Sequence, residues 1–95
     1  MEYIFIYCDD LNEKRAIIYD LKKSLGDLVI KKNLDSVVLV GNIKIKIFTN
    51  QEVGMGKTTG YRPYCVLEYY NPKILIDKIV EIYKSKEKIG NEKEN

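Results

Sequence analysis

One stretch constrains this chain more than any other. Val37–Val40, then Gly41-Asn42, then Ile43–Phe48 places two β-branched runs around a two-residue turn, the pattern of a β-hairpin. In the second run Ile43, Ile45 and Ile47 alternate with Lys44 and Lys46, so that strand is expected to bury one face and present cations to water on the other. At 95 residues the hairpin belongs to one small domain.

The neighbouring segments supply helices and further strands. Residues 3–8 (YIFIYC) are apolar almost throughout and read as a strand covered on both faces. Asp10, with Glu13 three residues on, opens a helix that runs to about Leu25 and stops at Gly26. Ile17, Leu21 and Leu25 form its apolar stripe, and Lys14, Arg15, Lys22 and Lys23 fall largely outside it. Residues 28–34 are ambiguous between strand and loop. Residues 50–61 (NQEVGMGKTTGY) hold three glycines without apolar periodicity and are expected to form a long loop. Tyr64–Tyr70 reads as a strand, and Asn71-Pro72 as the start of a second helix with Ile76, Ile79, Val80 and Tyr83 on its stripe. The expected fold is α/β, a mixed sheet of about four or five strands with two helices. The domain is expected to occupy residues 1–84, with 85–95 a disordered charged tail.

Composition removes several classes of chemistry. The chain has no histidine, which excludes Ser-His-Asp and Cys-His catalysis and every histidine-containing zinc site. Cys8 and Cys65 lie in apolar runs and read as small core residues. The formal net charge of +2 lacks the strong basic excess of a dedicated nucleic-acid binder. No run of ~18 apolar residues suggests a membrane span. Met1–Asp10 lacks the pattern of a signal peptide, so the expected location is the cytoplasm. The abundance of Ile, Lys, Asn and Tyr fits an AT-rich genome.

Three sets of residues are candidates for function. GMGKTTG at 54–60 looks like a phosphate loop, but the glycine such a loop needs at position 51 is Gln, and the segment runs on into Tyr61-Arg62-Pro63 and a strand rather than a helix. Lys57, Tyr61 and Arg62 are better read as a recognition loop for a phosphate or an acidic surface. Asp9, Asp10 and Glu68 stand at strand ends, where parallel neighbours would bring them to one sheet edge as oxygen ligands for a divalent metal; the competing reading makes Asp10 a helix cap. Lys44 and Lys46, with Tyr61, Tyr64, Tyr69 and Tyr70, would suit phosphates and bases, against a competing role for the tyrosines in packing.

In order along the chain, YIFIYCDDLNEKRAIIYDLKK, VVLVGNIKIKIF and GYRPYCVLEYYNPK resemble part of the P-loop ATPase core of phage large terminase subunits and related helicases. The resemblance covers roughly residues 3–83 and puts Glu68 where the family's acidic Walker B strand would carry its metal-coordinating acid. The family's Asp-Glu pair there is Glu68-Tyr69, and its phosphate-binding strand, loop and helix have no counterpart after Met1. The resemblance therefore implies a reduced, inactive relative of that core.

The expected function is that of a non-catalytic accessory protein of a phage or mobile element. It would need no cofactor or metal and bind a macromolecule, such as a host or defence-system protein, through Lys57, Tyr61, Arg62, Lys44 and Lys46. Two alternatives stand beside it: a nucleic-acid-binding module using Lys44, Lys46, Lys57 and Arg62, and a minimal metal-dependent nuclease using Asp9, Asp10 and Glu68. A homodimer paired through an exposed edge strand at the hairpin is a further expectation.

Overall fold

The computed structural model of the protein describes residues 1–69 and 71–94, the side chains of Pro72 and residues 86–94 excepted. Tyr70, one of the four tyrosines singled out from the sequence, lies outside the described residues. Along the chain the elements are β1 (Glu2–Cys8), α1 (Leu11–Leu25), β2 (Val29–Lys32), β3 (Ser36–Leu39), β4 (Ile43–Thr49), α2 (Asn50–Gly54), β5 (Cys65–Glu68) and α3 (Pro72–Glu94). One turn of 3-10 helix, Gly26–Leu28, joins α1 to β2. The five strands form one mixed sheet in the order β2-β3-β4-β1-β5. β1 runs parallel to both β4 and β5, and β3 is antiparallel to β2 and β4. No helix among the described residues is long and apolar enough to cross a membrane.

Local chemistry explains the element ends. The Asp10 carboxylate accepts a hydrogen bond from the Glu13 N–H at 2.9 Å, and Glu13 reaches back to the Asp9 N–H at 2.8 Å, which caps the start of α1. Gly26 closes the helix at φ 41°, its N–H bonded to the Lys22 carbonyl. The β2–β3 turn is held by Asn33, whose Oδ1 accepts from the N–H groups of Asp35 and Ser36 at 2.8 Å each. Asn71 Oδ1 accepts from the Lys73 N–H at 2.9 Å and starts α3.

The core lies on one face of the sheet. Ile4, Ile6 and Cys8 of β1, Ile43, Ile45 and Ile47 of β4, and Val37 and Leu39 of β3 pack there against Ile17, Ile18, Leu21 and Leu25 of α1 and Leu75 and Ile79 of α3. Two further apolar side chains, Phe5 and Phe48, are buried outside this cluster. Both sit at the alternate positions of their strands, on the opposite face.

Several expectations change. The hairpin forms, with Gly41 at φ 92° and Asn42 at φ 65°, but Leu39 pairs with Ile43, so Val40 joins the turn and the connection is three residues long. The Val40 N–H bonds instead to the Leu28 carbonyl beside β2. The hairpin is not at an edge: β2 covers β3, and β1 covers β4, because residues 29–32 resolve as a strand. The sheet's edges are β2 and β5. β2 carries Lys31 and Lys32 and an irregular register, features that oppose pairing with another chain. The 50–61 loop begins as α2, where the Thr49 hydroxyl and the Glu52 carboxylate form a reciprocal capping box. α3 extends past Lys84, where the apolar stripe ends. Lys14 is not on the solvent side of α1 but only 2% exposed.

Candidate nucleic-acid interface

The face of the sheet turned away from α1 and α3 is defined by a parallel register. Tyr3 stands beside Lys44, Phe5 beside Lys46, and Tyr7 beside Phe48. Successive side chains of a strand alternate between faces, so these six share one surface, three aromatics on β1 next to two lysines and a phenylalanine on β4. The ladder extends the surface sideways. Lys31 pairs with Val38, Val38 with Lys44, and Lys44 with Tyr3, and the Tyr64 N–H bonds to the Tyr3 carbonyl at 2.7 Å. One row therefore runs Lys31, Val38, Lys44, Tyr3, Tyr64 across the sheet, about 19 Å at ~4.8 Å per strand. Its cationic end borders a shallow depression of about 340 Å³ lined by Lys31, Lys32, Ser36, Val38 and Lys44.

The middle of this face is an aromatic cluster. The Phe5 ring meets Phe48 edge to face at 4.9 Å between centroids, and Tyr7 meets Phe48 at 6.3 Å. Tyr61, from the connection between α2 and β5, lies over Tyr3 at 5.2 Å and over Phe5 at 5.6 Å. Lys46 Nζ sits 4.2 Å from the Tyr61 ring centroid and donates to its hydroxyl at 2.9 Å. That bond and then the Lys46 charge lower the Tyr61 pKa below its ordinary value, outweighing an opposing effect of burial, and Lys44 adds a lesser lowering. Phe5 is 1% exposed beneath these groups, while Tyr61 and Tyr64 remain exposed.

An ion cluster holds the base of that connection. Lys14 Nζ bonds Asp35 at 2.5 Å and Glu52 at 2.9 Å, tying α1 to the β2–β3 turn and to α2. Burial alone would lower the Lys14 pKa, but the hydrogen bonds and charges of Asp35 and Glu52 outweigh it and the value is raised. Burial likewise acts to raise Glu52, and is outweighed by the Lys14 hydrogen bond and the Thr49 bonds, which lower it.

The sequence candidates divide. Tyr61 and Lys46 meet directly, and Lys44 shares their face. Lys57 and Arg62 stand in the 55–63 connection as exposed cations. Lys57 lies in turns between a one-turn helix and β5, so GMGKTTG forms no strand-to-helix phosphate loop. Asp9, Asp10 and Glu68 do lie toward the same end of parallel neighbours, with Glu68 beside Tyr7. Yet Asp10 caps α1, Asp9 accepts from Asn50 Nδ2 at 2.9 Å, and no group of three potential metal ligands occurs among the described residues. Cys8 is buried, its thiol pushed up to about 11, chiefly by burial and then by the nearby Glu13 charge. Tyr69 packs against the helix-side core instead of the open face. Tyr3, Phe5, Tyr7 and Phe48 were not among the sequence candidates. Their alternation was legible, but the β1–β4 pairing that sets them beside the lysines was not.

No protein-family model matches the chain, and neither a curated protein nor a solved structure does.

Proposed function

We propose that this protein is a non-catalytic binding module whose open sheet face takes single-stranded nucleic acid. The observation that carries the reading is the register of the two central strands, which sets Lys44 and Lys46 beside Tyr3 and Phe5 on the face that α1 and α3 leave uncovered. Single strands are held by cations that follow the phosphates and by aromatic rings on which bases stack, and this face provides the two side by side. The cations lie toward β2 and the exposed Tyr64 toward β5, so a strand crossing the sheet meets lysines with its backbone and aromatic rings with its bases. Lys57 and Arg62 add charge at the border. A duplex, whose bases are already stacked, gains nothing from the tyrosines.

Fluorescence polarisation with a labelled thymidylate octamer and with a duplex of the same length tests this. Binding of the single strand in preference to the duplex at low salt is the expected result. Equal binding of both, or none, removes the reading and returns the face to a protein partner.

A further inference from the structure

We propose that the space Tyr61 occupies against Tyr3 and Phe5, beside Lys46 Nζ, is a slot for one nucleobase, and that Tyr61 fills it in the free protein and leaves it when a strand binds. The inference rests on the nucleic-acid reading of this face and names a subsite within it.

Three observations converge on the slot. Its wall is aromatic, with the Tyr61 ring at 73° to Tyr3 and 71° to Phe5, and Phe5 in turn set at 65° to Phe48. A planar ring is what such a wall accommodates. Its rim carries a cation: Lys46 Nζ lies 4.2 Å from the Tyr61 ring centroid, 5.6 Å from that of Phe48, and 2.9 Å from the phenol oxygen. An exocyclic carbonyl of thymine, uracil, guanine or cytosine presents an acceptor oxygen on a planar ring in the same manner as the phenol, and adenine has none. The slot therefore takes a base with an exocyclic carbonyl, rather than adenine.

The third observation is how Tyr61 is held. Between α2 and Tyr64 the backbone bonds are local turns, Thr59 N–H to Gly56 and Tyr61 N–H to Thr58, at 3.1 and 3.4 Å. The first backbone bond to the sheet is made by the Tyr64 N–H, to the Tyr3 carbonyl. Gly56 and Gly60 take φ values of 80° and 90° on either side of the turn. The Tyr61 side chain is thus held on the face mainly by its ring contacts and its bond to Lys46, the interactions an incoming base would replace. Departure of Tyr61 also frees the Lys46 ammonium for the strand.

Three proteins, wild type, Tyr61→Ala and Tyr61→Phe, decide the matter, with circular dichroism confirming that each is folded. The probes are a thymidylate octamer, followed by polarisation, and p-cresol, followed by NMR shifts of the Tyr3 and Phe5 ring protons. If Tyr61 competes for the slot, removing two edge-to-face contacts should tighten octamer binding by about fivefold to 150-fold in Tyr61→Ala. Tyr61→Phe, which keeps the ring and loses the hydroxyl bond, should fall between the two. p-Cresol should saturate Tyr61→Ala but not wild type, and the octamer should displace it. Octamer binding that weakens or stays unchanged in Tyr61→Ala overturns the slot and leaves the face reading standing. p-Cresol binding to Tyr61→Ala with no octamer binding by any of the three overturns the nucleobase assignment through failure of the face reading itself.

Discussion

Replacing Lys14 by Met tests the electrostatic clasp beneath the recognition connection. Met keeps most of the buried stem and removes the ammonium, so little cavity is left and the change isolates the charge. Losing one partner of a fully buried pair costs about 3–5 kcal/mol, whereas an exposed pair is worth about 0–1 kcal/mol. Lys14 is 2% exposed, but the Asp35 side chain is 66% exposed and that of Glu52 28%. Asp35 therefore rehydrates when the ammonium goes. Glu52 rehydrates in part and keeps its bonds to Thr49. The expected cost lies between the two limits, about 2 kcal/mol, which lowers the melting temperature of a domain this size by roughly 8–16 °C.

The pH dependence gives the clasp a second signature. Glu52 has a folded-state pKa below its ordinary 4.5, so its contribution is present above that value and is lost as pH falls through the lowered one. Lys14 has a raised pKa, so its contribution is present below 10.5 and is lost as pH rises through the raised value. Lys14→Met should flatten both limbs. Thermal unfolding by circular dichroism across acid, neutral and alkaline pH measures the two effects together. A variant as stable as wild type at neutral pH, with both limbs unchanged, refutes the clasp.

Capping and burial each give a further expected outcome. Asp10→Ala removes the cap of α1 and should destabilise the protein by about 1 kcal/mol in urea titrations; unchanged stability would show that the carboxylate is not needed to start the helix. With its thiol near 11 and donating toward the Phe48 and Asp10 carbonyls at 3.6 Å each, Cys8 should resist a thiol reagent at pH 8 in a Cys65→Ser background until the protein unfolds, and rapid labelling of the folded protein would contradict that burial.

Local signals were the ones the sequence made legible. Asp10 with Glu13, Gly26, Gly41-Asn42 and Asn71-Pro72 each act through neighbours a few residues away, so helix starts, a helix end and a hairpin could be read from their spacing. α2 was equally local, since Thr49-x-x-Glu52 is a capping-box signature, but an element of one turn has no periodicity to draw attention to it. Lys14 groups in the sequence with its charged neighbours because nothing nearby in the chain announces Asp35 or Glu52, the latter 38 residues away. The open face was hidden for the same reason. Lys44 and Lys46 were legible as a wet stripe, and Tyr3, Phe5 and Tyr7 as alternate positions of a strand. Their union depends on β1 entering the sheet between β4 and β5, a choice made by long-range packing. Asp9, Asp10 and Glu68 show both sides, since their placement toward one end and the capping by Asp10 are foreseeable from the sequence, while the bond from Asn50 that occupies Asp9 is not.

The salt dependence of single-strand binding tests the central claim most directly. Each phosphate neutralised on a single strand contributes about −0.7 to the slope of log K against log salt. Measured with the thymidylate octamer, wild type should bind with a negative slope, and Lys44→Gln with Lys46→Gln together should weaken binding and reduce the slope by about 1.4. Absence of binding at low salt, or a double variant with wild-type affinity and slope, would contradict the assignment of this face.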